Sequence, residues 1–240
     1  MPESPPDAER PGQPSQSSLP AEPARPAHPV RPARSAQRAH PCCALFLDLL
    51  MRPLKPLRRR IVPDVRGRVL EIGVGTGLNF EHYAATHGHV KALYGVEPDP
   101  HMLKRAAKRA RRLPFPVQLD QVGAEKLPYP DAYFDTVLLT WVLCTIPDPD
   151  SALREARRVL RPGGRLVYVE HTRSRYRFAA RLQDRLTPLW KEIGGGCHLN
   201  RDSVSRIRAA GFGGISMLPC GREAWTLVPV YRGEAIKDRV

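Results

Sequence analysis

Residues 69–77, V-L-E-I-G-V-G-T-G, restrict the possible folds of this chain more than any other stretch. An apolar run ends in Glu71, three glycines follow at alternate positions, and residues 79–86 then read as a helix. Glycine adopts positive φ freely and lets a backbone approach a ligand closely. A strand, a tight glycine turn and a helix in succession open a parallel α/β sheet, in which ligands bind beyond the carboxyl ends of the strands. The spacing is G-x-G-x-G; a dinucleotide fingerprint would require a glycine at Leu78. Glu97 ends the second apolar run, 20 residues after Gly77. A carboxylate there suits the ribose hydroxyls of a nicotinamide or an adenosyl cofactor alike. A strand–helix turn that holds no ligand is the plainer alternative.

The alternation continues along the chain. Residues 91–96 read as a second strand, 116–122 as a third, 134–140 as a fourth and 165–170 as a fifth. Between them, 99–112 and 151–160 carry apolar residues at helical spacing. Asp150 or Ser151 can cap the second of these helices, and Arg161, Pro162, Gly163 and Gly164 stop it. Residues 176–192 and 202–210 look helical, and 214–219 and 224–231 look like strands. This order implies an α/β fold with a mostly parallel sheet covered on both faces. The basic face of 99–112, from Lys104 to Arg112, reads as a solvated helix face rather than a nucleic-acid stripe.

Charge and proline divide the chain differently. The net charge is +14. Residues 41–68 carry seven basic and two acidic side chains, and 171–240 carry 13 and six. The intervening 69–170 carry 13 and 12, close to balance. Residues 1–40 hold ten of the 26 prolines and no aromatic residue, so they are expected to be a disordered Pro/Arg/Ala-rich tail. No apolar run approaches the roughly 18–20 residues of a membrane span, and no secretory leader pattern opens the chain. Five cysteines without a C-x-x-C argue against both a disulfide framework and a metal site, and suggest reduced thiols in the cytoplasm.

Four stretches stand in order over residues 69–170: E-I-G-V-G-T-G, V-E-P-D-P-H-M-L, G-A-E-K-L-P-Y-P-D-A-Y-F-D and L-R-P-G-G-R-L. Together they resemble the successive motifs of the class I S-adenosylmethionine-dependent methyltransferases, of the methyltransferase type 11 domain. The quinone-ring C-methyltransferases share the pattern closely. A narrower resemblance covers 134–201. There T-W-V-L-C-T-I, V-E-H and P-L-W-K-E-I-G-G-G-C-H-L-N-R are similar to the methyltransferase-like 7 group of thiol S-methyltransferases and its bacterial relatives. Some of those relatives are labelled phospholipid N-methyltransferases. The group often has Asp-Gly-Cys where this chain has Gly195, Gly196 and Cys197.

The resemblance implies a Rossmann-like, seven-stranded, mostly parallel sheet with helices on both faces and an antiparallel last strand. It implies a helical lid at 41–66 and a methyltransferase domain at 67–232, with S-adenosyl-L-methionine as cofactor. Gly73, Gly75 and Gly77 would pass under its methionine part, and Glu71 would orient its ammonium group. Glu97 would accept the ribose hydroxyls, with Pro98 beside it. Met102 would pack on the adenine, and Gly123, Ala124 and Glu125 would edge it. Many relatives have Asp where Gly123 stands. Thr140 and Trp141 would lie under the sulfonium.

Methyl transfer from a sulfonium needs an aligned nucleophile and a dry site, and sometimes a base. His171, directly after the fifth strand, and His198 are the candidate catalytic residues; Trp190 and Cys197 are the candidate substrate contacts. His82, His87 and His89 read as surface residues, and Cys144 as a small buried side chain. Residues 42–60 have two readings. One is a lid over the cofactor. The other is an interfacial anchor with Leu45, Phe46, Leu49 and Leu50 in a bilayer and Arg52, Lys55 and Arg58 to Arg60 on anionic headgroups. The lid is favoured because the segment is short.

The function that follows is methylation of a small-molecule acceptor, a thiol or an apolar, lipid-like compound. Phospholipid N-methylation and quinone C-methylation are the enzymatic alternatives. A basic nucleic-acid-binding module would explain the charge but not the cofactor motifs. T-W-V-L-C follows the fourth strand where a base-directed amine methylase would have N-P-P-Y, which argues against a nucleic-acid partner.

Overall fold

The structure, a computed structural model, describes residues 48–221 and 227–239. The tail 1–40, the residues 41–47 and the start of the expected strand at 224–231 lie outside the described residues. Residues 48–50 are helical. A 3-10 turn Arg52–Leu54, the short helix α1 (Lys55–Ile61) and a second 3-10 turn Val62–Asp64 lead into strand β1 (Gly67–Ile72). Then follow β2 (Val90–Val96), α2 (Pro100–Ala110), β3 (Val117–Asp120), β4 (Phe134–Thr140), α3 (Pro149–Val159) and β5 (Leu160–His171). The last part contains α4 (Arg177–Ile193), α5 (Ser203–Ala209), β6 (Gly213–Pro219) and β7 (Val230–Ile236).

The seven strands form one sheet in the order β3-β2-β1-β4-β5-β7-β6. The pairs among β1 to β5 are parallel. β7 runs antiparallel to both β5 and β6. The expected architecture is therefore the observed one, with its last strand antiparallel. That strand lies at Val230–Ile236 and so runs past the expected limits of 231 for the strand and 232 for the domain.

Period-two alternation separates the two cores. On β1, Leu70 and Ile72 join one apolar cluster and Val69 the other. On β4, Val137 and Leu139 take the first face and Leu138 the second. On β5, Leu166 and Tyr168 alternate in the same way with Val167 and Val169. Strands buried on both faces read as continuous apolar runs, which is why β4 spans the expected residues 134–140. Leu138 is fully buried; truncating such a leucine to alanine costs about 2–5 kcal/mol.

Two helix starts follow elementary capping. Asp99 accepts from the His101 and Met102 amides at the start of α2. Asp148 accepts from Ser151 at the start of α3. The cap of α3 is thus Asp148, not Asp150 or Ser151, because Pro149 takes the first helical position, where its missing N–H costs nothing.

Two helical segments have unusual features. Residues Phe80–Thr86 wind as a 3-10 helix, not an α-helix. Three residues per turn place Phe80, Tyr83 and Thr86 on one buried side. His82, expected at the surface, is 7% exposed in the segment packed against the Val62–Asp64 turn, while His87 and His89 are exposed. The helix expected at 176–192 is present as α4, and its burial pattern is inverted. Its buried face is Ala180, Gln183 and Thr187. Its exposed residues include Phe178, Leu186, Leu189 and Ile193, with Phe178 80% exposed. Gln183 explains the polar interior: it accepts from the Ser174 amide and donates to the carbonyls of Thr172 and Leu199.

Candidate active site

The glycine turn after β1 brings three glycines to positive φ, and each serves a different purpose. A Cβ on Gly73 would meet Val142 at 2.3 Å. A Cβ on Gly77 would press on the Phe80 ring and on the Ala106 backbone of α2. A Cβ on Gly75 would meet nothing within 4 Å. Packing thus explains two of the glycines; the middle one borders open space.

Glu97 closes that space. It is 8% exposed. Its two oxygens accept from the amides of Gly75 and Asp99, both at 3.0 Å. Burial pushes its carboxyl up to about 7, against those two amides. A carboxylate so held retains lone pairs for ribose hydroxyls. The residues present therefore fit an adenosyl group: open space beside Gly75, bounded by a buried carboxylate. Met102 is half-buried in the first turn of α2, and Pro98 is exposed. Ala124 is packed into the core, between half-buried Gly123 and Glu125.

Glu71 lies deeper. Asn79 donates to its Oε1 at 2.8 Å and Tyr83 to its Oε2 at 2.9 Å. Burial raises its carboxyl to about 7, opposed by those two donors and by Arg58. Arg58 itself is 6% exposed. Its Nη1 donates to Asn79 at 2.7 Å and to Thr140 at 3.3 Å. Its guanidinium carbon lies 4.7 Å from the centroid of the Trp141 ring, a cation–π contact. Its Nε is buried without a partner among the described residues. Burial lowers its pKa to about 10. In the anchor reading Arg58 was to meet headgroups; it stands instead inside the site. Trp141 begins the turn after β4 with φ +53°, a strained region for a bulky residue.

A second strap joins Asp48, ahead of α1, to the glycine loop. Asp48 accepts from Thr76 and from Arg105 and Arg109 of α2. Arg109 also donates to the Thr76 carbonyl at 2.6 Å. Despite burial, these donors hold Asp48 below the usual carboxylate range.

The other wall gathers residues from three distant segments. Cys144 follows β4, His171 ends β5, and Cys197 follows the glycine turn after α4. His171 Nε2 lies 3.2 Å from the Cys197 sulfur. The donor atoms of Cys144, His171 and Cys197 all lie within 4.8 Å of one another. Gly195 and Gly196 have positive φ, which lets the chain double back after α4. The Cys144 thiol and burial push the Cys197 thiol well above its usual range. Burial opposes a charge on His171, but the Cys197 contact outweighs it and raises its pKa. His171 Nδ1 has no partner among the described residues.

The Cys144 turn is held rigidly. Glu170, fully buried, accepts from the Val142 amide at 2.8 Å. Arg201 donates to the carbonyls of Leu143 and Ile146. The amide and the Nδ1 of His198 both meet the Cys144 carbonyl, at 2.9 and 3.1 Å. Trp190 is half-buried, its Nε1 unpartnered among the described residues and close to Gly194. Sequence reasoning placed His171 and Cys197 in the site but saw no pairing between them. It missed Arg58, Asp48, Asn79, Tyr83 and Arg201. No periodicity marks these five, since their roles arise from contacts across the fold.

Comparison with known proteins adds four findings. A family model described as a methyltransferase domain matches residues 70–168. The human (Homo sapiens) thiol S-methyltransferase TMT1B is 32% identical over 197 residues, covering 74% of this chain and 79% of that protein. The phosphatidylethanolamine N-methyltransferase of Cereibacter sphaeroides is 39% identical over 119 residues, 48% of this chain and 57% of that protein. Among solved structures, phosphoethanolamine N-methyltransferase 2 of Haemonchus contortus with S-adenosyl-L-methionine has a similar fold. Its TM-score is 0.63 at 15% identity, over 83% of this chain and 57% of that one.

Proposed function

The chain belongs to the class I S-adenosylmethionine-dependent methyltransferases, and on that premise we propose that its methyl acceptor is a thiol. It is an enzyme, and its cofactor is S-adenosyl-L-methionine. When bound, the cofactor supplies a methyl group whose bond to the sulfonium breaks as the bond to the acceptor forms. Glu97 binds the ribose and Gly75 gives the backbone clearance. Arg58 and Trp141 form the floor next to the methionine end, and Glu71 acts through Asn79 and Tyr83. The segment 48–64 serves as the lid.

One observation carries the thiol reading. The proposed acceptor wall has two thiols and an imidazole whose donor atoms lie within 4.8 Å of one another. Such a wall is soft, and it suits a sulfur nucleophile better than an amine or a phenol. A thiol also needs little basic assistance: with a pKa near 8.5, about 3% is already thiolate at pH 7. The likeness to a thiol S-methyltransferase over most of the domain points the same way. The test is a mass-spectrometric screen for a gain of one methyl group over thiols, quinols and aminophospholipids. Methylthioether products are expected. Products from aminophospholipid or quinol alone would replace this reading with N- or C-methylation.

A second reading concerns the place of action. The outward apolar residues Phe178, Leu186, Leu189 and Ile193 share α4 with exposed Arg177, Arg181 and Arg185. We assign this face, rather than Arg58, to an anionic membrane surface from which an apolar acceptor could enter. Among the described residues no helix is long and apolar enough to cross a membrane. Co-sedimentation with anionic vesicles, reduced by a Phe178→Glu, Leu189→Glu double substitution, is the expected result. Equal binding of the parent and the variant would remove the assignment.

A further inference from the structure

We propose that Cys144, His171 and Cys197 form a binding site for a soft divalent metal ion of the zinc class, with one coordination position open towards the acceptor. The absence of C-x-x-C spacing speaks only about neighbours in sequence. Here the three donors come from three segments, and only the fold brings them within 4.8 Å of one another. Zinc binds thiolate sulfur at about 2.3 Å and imidazole nitrogen at about 2.0–2.1 Å. A tetrahedral shell with those radii has a nitrogen–sulfur edge of roughly 3.5 Å. The His171–Cys197 separation is 3.2 Å, a few tenths of an ångström short of that edge, and the three donors all lie within 4.8 Å, so closing the shell on an ion needs side-chain movement of up to about an ångström.

The donor chemistry selects the class of metal. Two sulfurs and one imidazole, with no carboxylate in the group, disfavour calcium and magnesium and favour zinc, cadmium or copper(I). Three protein ligands with a free fourth position form the pattern of a reactive site rather than a structural one. The frame is fixed in advance. Glu170 and Arg201 hold the turn that carries Cys144, and the His198 amide ties the Cys197 segment to the Cys144 carbonyl.

The role of the open position rests on the thiol reading given above. An acceptor thiol would displace water from the metal and bind as thiolate, its proton passing to solvent. The sulfur would then be fixed between the metal and the cofactor. A carbon–sulfur bond forms to the acceptor as the sulfonium carbon–sulfur bond breaks, which leaves a thioether and S-adenosylhomocysteine.

The test uses the full chain, reduced, freed of metal by chelation and titrated with cadmium. One thiolate-to-cadmium charge-transfer band per chain is expected. A variant in which Cys144 and Cys197 are the only cysteines should keep the full band, and Cys144→Ser, Cys197→Ser should lose it. His171→Ala should weaken cadmium at least tenfold. The proposal is overturned if the reduced parent, with all five thiols titrating as free, gives no band. It is equally overturned if the double serine variant binds as the parent does. Thiol methylation, measured before and after zinc is restored, separates the two readings. A band with no thiol methylation supports the metal site and removes the thiol acceptor; thiol methylation with no band removes the metal site alone.

Discussion

The candidate cofactor end gathers the glycine turn, Glu71, Glu97 and Arg58, while the cluster beside the Trp141 turn joins Cys144, His171 and Cys197 from three separate segments. The charge follows the same division: residues 69–170 are nearly balanced, and 171–240 carry 13 basic against six acidic side chains. At the cofactor end most buried polar groups have partners in the protein. Glu71 has Asn79 and Tyr83, and Glu97 has two amides. On the proposed acceptor wall, His171 Nδ1, Glu170 Oε2 and Trp190 Nε1 are buried without partners among the described residues. A scaffold that binds one invariant cofactor can be finished in advance. A wall that receives an acceptor keeps unsatisfied groups.

This division can be broken by substitution, and the largest effect is expected where the two regions meet. Arg58→Ala leaves Glu71 buried without its nearest cation, and should cost about 3 kcal/mol of stability, read by denaturant unfolding. A loss under 1 kcal/mol would mean that Glu71 is neutral in the folded state and Arg58 is only packing. Next, Glu97→Ala should weaken cofactor binding about 100-fold, since it removes two hydrogen bonds to an ionised group. His171→Ala should lower kcat/KM for the acceptor by a similar factor while the cofactor Kd stays within about twofold. If both variants changed the same parameter, the two ends would not be separable.

A tenfold effect is expected from pH. Glu97 is raised from 4.5 to about 7. The folded protein therefore holds a proton between those values that the unfolded chain has released. This contribution to stability is present below pH 4.5 and lost as pH rises to about 7. Cofactor binding has the opposite slope, because ribose hydroxyls donate to the ionised form. Affinity at pH 6 should be about tenfold below that at pH 8, and Glu97→Gln should flatten the profile in calorimetry. The smallest effect is expected for His198→Ala, less than about threefold in kcat/KM. Its Nδ1 meets a backbone carbonyl, and its amide, which survives the substitution, makes the stronger tie.

What could be read from sequence follows the same line. Strand β4 and the glycine turn were legible because burial on both faces and positive φ each leave a local mark. The order of strands and helices was legible for the same reason. Arg58 was not, because an arginine in a basic run looks like any other until α1 brings it over the Trp141 ring. His82 was misplaced because nothing in 79–86 marks which side of that helix is covered. The 3-10 winding and the Val62–Asp64 turn packed against it change which side chains are covered. The Cys144–His171–Cys197 cluster was hidden because spacing rules detect donors from neighbouring residues, whereas these donors meet only after α4 and its glycine turn are in place.

The three glycines of the turn record two kinds of selection within five residues. A library sorted only for soluble, folded protein should reject side chains at Gly73, where Val142 stands, and at Gly77, where α2 passes. At Gly75 the same sorting should admit asparagine, which tolerates φ +54° and would find open space. Only a sort on cofactor retention should restore glycine there. The width of that single gap, rather than the fold around it, is what ancestry would have to preserve for this turn to remain a binding loop.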